Sequence, residues 1–192
     1  MQRIINGLEY KPFEWQEFKI KDNNNCYTYA FDMMTNPRTG KVRRNWDYCQ
    51  PAMLSKGRPI DANYCSDRAL IKAVKEDMEV IGVDFEKFNP KKYYSSDWWK
   101  VALFRDYKRG ENSDKNYQGD YHWYRQNLDG TWSQKVGGKE VTSYDKSGRI
   151  ITDPVTCDRG SGDERYKYFV GFFMARRTEE YYNFTNTERK VC

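Results

Sequence analysis

Hydrophobic positions along the chain change their spacing about half-way along. In the first half they recur at three and four residues, as on one side of a helix. Cys26, Ala30, Met33 and Met34 share a face, Tyr27 and Phe31 lie beside it, and Asn25 stands where an N-cap is needed. The pattern predicts a helix over Cys26–Met34. A second helix follows from Leu70, Ala73, Val74, Met78 and Ile81, with Ser66 to cap it and Gly82 to stop it. The first twenty residues, with Pro12 and scattered aromatics, read as extended or irregular. Pro37, Gly40, Pro51, Gly57 and Pro59 mark 35–63 as a long loop with one short turn, and Val83–Asp97 reads as another loop.

From Trp99 onward the spacing is that of strands. Trp99–Asp106 (WKVALFRD) reads as a buried strand, and Lys108–Gln118 as a polar connection. In the next run Tyr121, Trp123 and Arg125 face one side, while His122, Tyr124 and Gln126 face the other. Asn127-Leu128-Asp129-Gly130 reads as a four-residue hairpin loop, with Thr131–Lys135 as the returning strand. That register pairs His122 with Lys135 and puts Gln134 opposite Trp123. Val141–Tyr144 and Arg149–Thr152 flank a turn at Asp145-Lys146-Ser147-Gly148. Tyr166–Ala175 is the most hydrophobic strand, with Gly171 as a bulge or close-packing point. Helices first and an antiparallel sheet afterwards predict an α+β fold, N-terminal helices packed on the sheet, in a single domain over residues 1–192.

Composition sharpens this picture. Charged residues make up 32% of the chain and hydrophobic ones 38%, a count that includes 16 tyrosines. A core must therefore be built largely from aromatics, whose 17% share also argues against disorder. The net charge of +5 is spread out, and Arg43-Arg44 and Lys91-Lys92 are short runs typical of solvated faces. No zinc-finger spacing, basic helix or RNA-binding aromatic signature accompanies them, so no nucleic-acid partner is expected. No apolar run approaches the roughly 20 residues of a membrane span, and the start, MQRIINGLEYKPFEW, lacks the apolar core of a secretory signal. Five cysteines, without a CxxC pair, and one histidine make a structural zinc site unexpected. The expectation is reduced thiols, no metal, no cofactor, and a cytoplasmic or virion location. Asn183-Phe184-Thr185 fits a glycosylation sequon by chance, and YYSSDWW at 93–99 reads as core packing rather than a sugar-binding cleft.

The residues with chemical potential are Cys26, at a predicted helix start, and His122, the only histidine, at a strand start. Taken singly, each reads as a core residue. Together they have the order of a thiol nucleophile and its base. A helix N-terminus lowers a thiol pKa, a neighbouring imidazole holds the proton, and a third polar residue fixes the imidazole tautomer. That order, Cys-helix then His-strand, is used by papain-like and NlpC/P60-like thiol hydrolases. Candidates for the third residue are Gln134 and Asp153, and the four-residue loop register favours Asp153 by turning Gln134 to the other face.

The segments NNCYTYA, KVALFRD, DYHWYRQNLDGTWSQK, VTSYDKSGRIITDP and FVGFF follow in that order over most of the chain, roughly from Asn25 to Phe173. They resemble an uncharacterised family of bacteria and viruses whose members share an N-C-Y-x-Y-A helix start and an H-W-Y-R-Q…G-x-W-S-H-K-G hairpin. The resemblance implies a papain-like, NlpC/P60-like fold and a peptidase or amidase acting on a peptide or amide bond through Cys26 and His122. One departure bears on activity: the family has histidine where this chain has Gln134. A glutamine can hold a tautomer by hydrogen bonding but cannot act as a base. The alternative expectation is a non-catalytic structural subunit of a large assembly, such as a minor capsid protein. Segments 1–22 and 176–192 would then be extended and touch partners through Phe13, Trp15, Phe18, Tyr181, Tyr182 and Phe184.

Overall fold

The computed structural model describes residues 7–33, 49–60, 65–106, 120–160 and 166–181. Within them the helices α1 (Pro12–Gln16), α2 (Phe18–Lys21), α3 (Cys26–Ala30), α4 (Met53–Lys56) and α5 (Asp67–Val80) precede the strands. The strands are β1 (Val83–Lys87), β2 (Trp99–Arg105), β3 (Tyr121–Gln126), β4 (Trp132–Lys135), β5 (Val141–Thr142) and β6 (Tyr168–Arg177). They form one antiparallel sheet in the order β1-β6-β2-β3-β4-β5. The expected α+β class, with helices against an antiparallel sheet, is what the chain adopts.

Both faces of the sheet are covered, which explains why β2 reads as a continuous apolar run. On the helix side, Val101, Leu103, Trp123, Phe173 and Ala175 meet Tyr27, Ala30 and Phe31 of α3 and Leu70, Val74 and Met78 of α5. Aromatic rings dominate the contact: Phe31 and Trp123 meet edge to face at 5.2 Å, and Phe85 stacks on Phe173 at 5.1 Å. The opposite face carries Ala102, Phe104, Tyr124 and Trp132, which pack with Ile151, Cys157, Tyr166 and Phe172. The bulge expected near Gly171 is present. Leu103 pairs with Gly171 and Phe104 with Phe169, leaving Val170 as the extra residue.

Helix α5 follows its spacing closely, with the Ser66 hydroxyl accepting from the Ala69 amide at 3.2 Å. Helix α3 is shorter than the predicted Cys26–Met34, and Met34 lies outside the described residues. It stops because Asp32 takes a left-handed φ of 54°. Its carboxylate is held there by Arg125, at 3.1 Å, and by Arg177. The predicted loop at Val83–Asp97 contains an unexpected edge strand, β1, whose Val83 and Phe85 point into the core between charged neighbours.

Both terminal segments, expected to extend towards partners, fold onto the chain itself where they are described. Trp15 is buried against Tyr29, ring to ring at 5.0 Å, and Leu8 forms a parallel bridge with Asn127. At the other end Thr178 donates its amide to the Gly82 carbonyl at 2.9 Å, and Tyr181 packs on the helix-side core. Phe13 remains exposed. Tyr182, Phe184, the sequon at Asn183, Arg43-Arg44 and Lys108–Gln118 lie outside the described residues, as does the side chain of Phe18. No helix among the described residues is long and apolar enough to cross a membrane.

Candidate functional site

Cys26 opens α3 as expected, behind a capping box in which Asn25 and Thr28 exchange hydrogen bonds of 3.0 and 2.9 Å. The thiol is nevertheless buried, with its Sγ donating to the Tyr121 carbonyl at 3.7 Å. Burial, reinforced by the negative charge of Asp120, pushes its pKa up to about 12. A five-residue helix has too small a dipole to reverse that. At neutral pH Cys26 is a thiol in an apolar core, not a thiolate.

His122 starts β3, but strand alternation turns it away from α3. Tyr121 and Trp123 point to the Cys26 side and share its core cluster. The His122 ring lies on the opposite face, stacked on Tyr166 at 4.8 Å and edge-on to Tyr124 at 4.8 Å. The predicted dyad is therefore not assembled: the sheet stands between its members. Burial lowers the His122 pKa to about 4, the hydrogen bond it donates to Gln134 opposes this only in part, and Lys146 and Arg159 push it further down.

Gln134 sits beside His122, contrary to the four-residue loop register. The hairpin turns through three residues, Leu128–Gly130: Asn127 donates its amide to Thr131, Gly130 donates to the Asn127 carbonyl, and Gly130 takes a φ of 87°. That shortening pairs Gln134 with Tyr124 rather than Trp123 and moves its side chain to the His122 face. Gln134 Nε2 donates to the Tyr144 carbonyl at 3.2 Å, which leaves Oε1 to face His122 Nε2 at 2.9 Å. Nε2 of the neutral imidazole is thus its protonated nitrogen. The fourth expected residue, Asp153, is occupied in its own turn, accepting from the Val155 amide at 2.9 Å and from the Thr156 hydroxyl at 3.4 Å.

Around the Gln134–His122 pair the sheet carries a cleft of about 240 Å³. Tyr124, Gln134 and Tyr166 line it together with Lys139, Lys146 and Arg159, and no carboxylate is among its described lining residues. Sequence reasoning saw Lys146 only as part of a turn and passed over Lys139 and Arg159. The three cations come from separate loops, joined by closures such as the Lys146 amide to the Asp158 carbonyl at 2.9 Å. Among the described residues no cluster of His, Cys, Asp and Glu could hold a metal ion.

The chain is similar to insoluble matrix shell protein 1 of Ruditapes philippinarum. The two are 29% identical over 168 residues, which cover 88% of this chain and 90% of that protein. No family model and no solved structure matches the chain. The likeness overturns two expectations. A papain-like thiol hydrolase is not what the relative is named for, and the separation of Cys26 from His122 speaks against it as well. A cytoplasmic or virion location gives way as well, since the relative is named for an insoluble shell matrix.

Proposed function

We propose that the protein is a non-catalytic structural component of an insoluble matrix, assembling there with other macromolecules. The observation that carries this reading is the end-to-end likeness to a shell matrix protein over 88% of the chain and 90% of the relative. The internal chemistry supports it. Cys26, Cys49 and Cys65 are buried in the helix-side core, where they act as small apolar residues. His122, Gln134, Lys135 and Arg125 are buried polar groups that tie strands and loops together, as a rigid scaffold requires. On this reading the Cys-helix packed on a sheet is a papain-like arrangement kept for its packing alone.

The test is partition. Purified protein mixed with a demineralised, insoluble shell matrix is expected to sediment with it and to resist elution by moderate salt. Cys26→Ala is expected to sediment equally. Protein that stays in the supernatant, combined with a peptidase or amidase activity that Cys26→Ala abolishes, would overturn the proposal.

A further inference from the structure

The cleft beside His122 has the attributes of a binding site that the scaffold itself does not require. Lys139 and Lys146 are exposed at its rim, and neither forms an ion pair with a carboxylate among the described residues. The nearby carboxylates are turned away from them. Asp145 accepts from the amides of Ser147, Arg149 and Asp158, at 3.0, 2.9 and 3.1 Å, and Asp158 accepts from the Gly160 amide at 2.8 Å. Three cations facing one space without an acid among the described residues repel one another, an arrangement that an anionic guest relieves.

Arg159 adds a built element. Its guanidinium lies over the Phe104 ring at 4.6 Å, and Nη1 donates to the carbonyls of Pro154 at 2.5 Å and Val155 at 3.2 Å. Its Nε is buried and has no hydrogen-bond partner. A guanidinium fixed in this way is the usual recognition group for sulfate or carboxylate oxygens, met through the edge that faces the cleft rather than through the enclosed Nε. The stem of Lys146 runs beside Gly160, where a Cβ would lie in ordinary contact with Lys146 Cγ at 3.4 Å.

The remaining lining is neither apolar nor purely ionic. The Tyr124 hydroxyl is held neutral, because burial and the neighbouring Cys157 raise its pKa, and it bonds to the Cys157 thiol beside the cleft. Tyr166 contributes a ring, oriented by its hydroxyl bond to Asp120 at 2.7 Å and by stacking on His122. About 240 Å³ is more than a lone ion fills, and it lies just under the ~300 Å³ at which pockets for drug-sized ligands begin. Aromatic rings and a neutral polar floor beneath a cationic rim suit a hydroxylated ring that bears an acidic group. We infer that this cleft binds a sugar unit carrying sulfate or carboxylate, through Lys139, Lys146 and Arg159. In its choice of an acidic saccharide the inference rests on the matrix reading, and it names the kind of matrix polymer the protein would hold.

Isothermal titration with a sulfated heparin disaccharide tests it, beside the desulfated carboxylate form, neutral chitobiose, inorganic sulfate and a nucleoside monophosphate. Saturable binding of either acidic disaccharide is expected, with none of chitobiose, and comparing the two tells sulfate from carboxylate recognition. Loss of one charged contact in Lys146→Gln or Arg159→Gln should weaken binding by roughly tenfold or more. Lys146 is exposed, so its variant keeps the test valid should Arg159→Gln fail to fold. Equal affinity for chitobiose, inorganic sulfate as good as the disaccharide, preference for the nucleotide, or full binding by both variants would overturn the inference. Sedimentation with matrix but no saccharide binding would remove the cleft and leave the matrix proposal. Binding by a protein that ignores the matrix would do the reverse.

Discussion

Cys26 and His122 lie on opposite faces of one β-sheet, although the Cys26 thiol touches the backbone of the residue next to that histidine. One step along β3 decides the matter. Had the strand been displaced by a single residue, the imidazole would share the face of the thiol. As built, Tyr121 and Trp123 take that side and complete an aromatic core around Phe31 and Phe85.

Thiol labelling reads this arrangement directly. Iodoacetamide at pH 7 is expected to leave Cys26, Cys49 and Cys65 unmodified in the folded protein and to reach the half-buried Cys157 before them, as followed by peptide mass spectrometry. His122→Ala should not change the Cys26 rate. Rapid Cys26 labelling at mildly acidic pH, lost in that variant, would contradict the separation.

His122 makes stability depend on pH in a defined window. Its pKa is about 4 in the folded protein, against about 6.5 in an unfolded chain. Between those values the unfolded state binds more protons, so stability is fully present above about pH 6.5 and is lost as pH falls toward 4. The loss is on the order of 2–3 kcal/mol. Asp145, the carboxylate held lowest, does not obscure it. Asp145, where backbone hydrogen bonds outweigh the effect of burial, is held at about 2, and its contribution is lost only below about pH 4. Urea midpoints measured from pH 7 to 5 should fall in the natural protein and stay nearly level in His122→Phe. Parallel slopes would show that His122 is not the group responsible.

How much of this the sequence disclosed depended on the length of each signal. Helix α5 was legible because its apolar spacing runs for four turns between Ser66 and Gly82. β2 and β6 were legible as long hydrophobic runs. β1 was missed because five residues with Asp84, Glu86 and Lys87 among them look like a polar loop. The hairpin was found but misregistered, since Asn-Leu-Asp-Gly suits a three- or a four-residue turn and only the φ of Gly130 distinguishes them. That ambiguity decided the face of Gln134 and so the reading of the site. The basic cleft left no linear signal, because Lys139, Lys146 and Arg159 meet only after three loops close.

Lys135 is a further case of chemistry hidden by the fold. Its Nζ is enclosed by the carbonyls of Lys21, Gly137 and Lys139, at 2.6, 2.7 and 2.8 Å. Burial lowers its pKa to about 8, yet three acceptors match the three donors of an ammonium that is still charged at pH 7. Lys135→Met keeps much of the volume but orphans three carbonyls and unties the N-terminal segment from the 136–139 loop. A loss of about 2–4 kcal/mol is expected in chemical denaturation. A variant as stable as the natural protein would mean that water replaces the ammonium without penalty.

Gly82 couples the start of the sheet to the tail. It takes a φ of 70°, and a Cβ there would lie 2.5 Å from the Tyr181 amide nitrogen. Gly82→Ala therefore meets two penalties, a left-handed backbone and a steric clash with the returning tail, together about 1–3 kcal/mol. The clash disappears if the tail does. In a chain truncated after Arg177, Gly82→Ala should cost only the backbone part, about 1 kcal/mol, so the two changes are non-additive. Truncation alone should destabilise the fold, because Thr178 donates to the Gly82 carbonyl and Tyr181 covers the core beside Arg177. That departs from the behaviour of a tail that serves only to contact partners, which could be deleted without effect on the fold. Strict additivity in a thermal-melt cycle, with truncation silent, would detach the tail from the body of the protein and return it to partner binding.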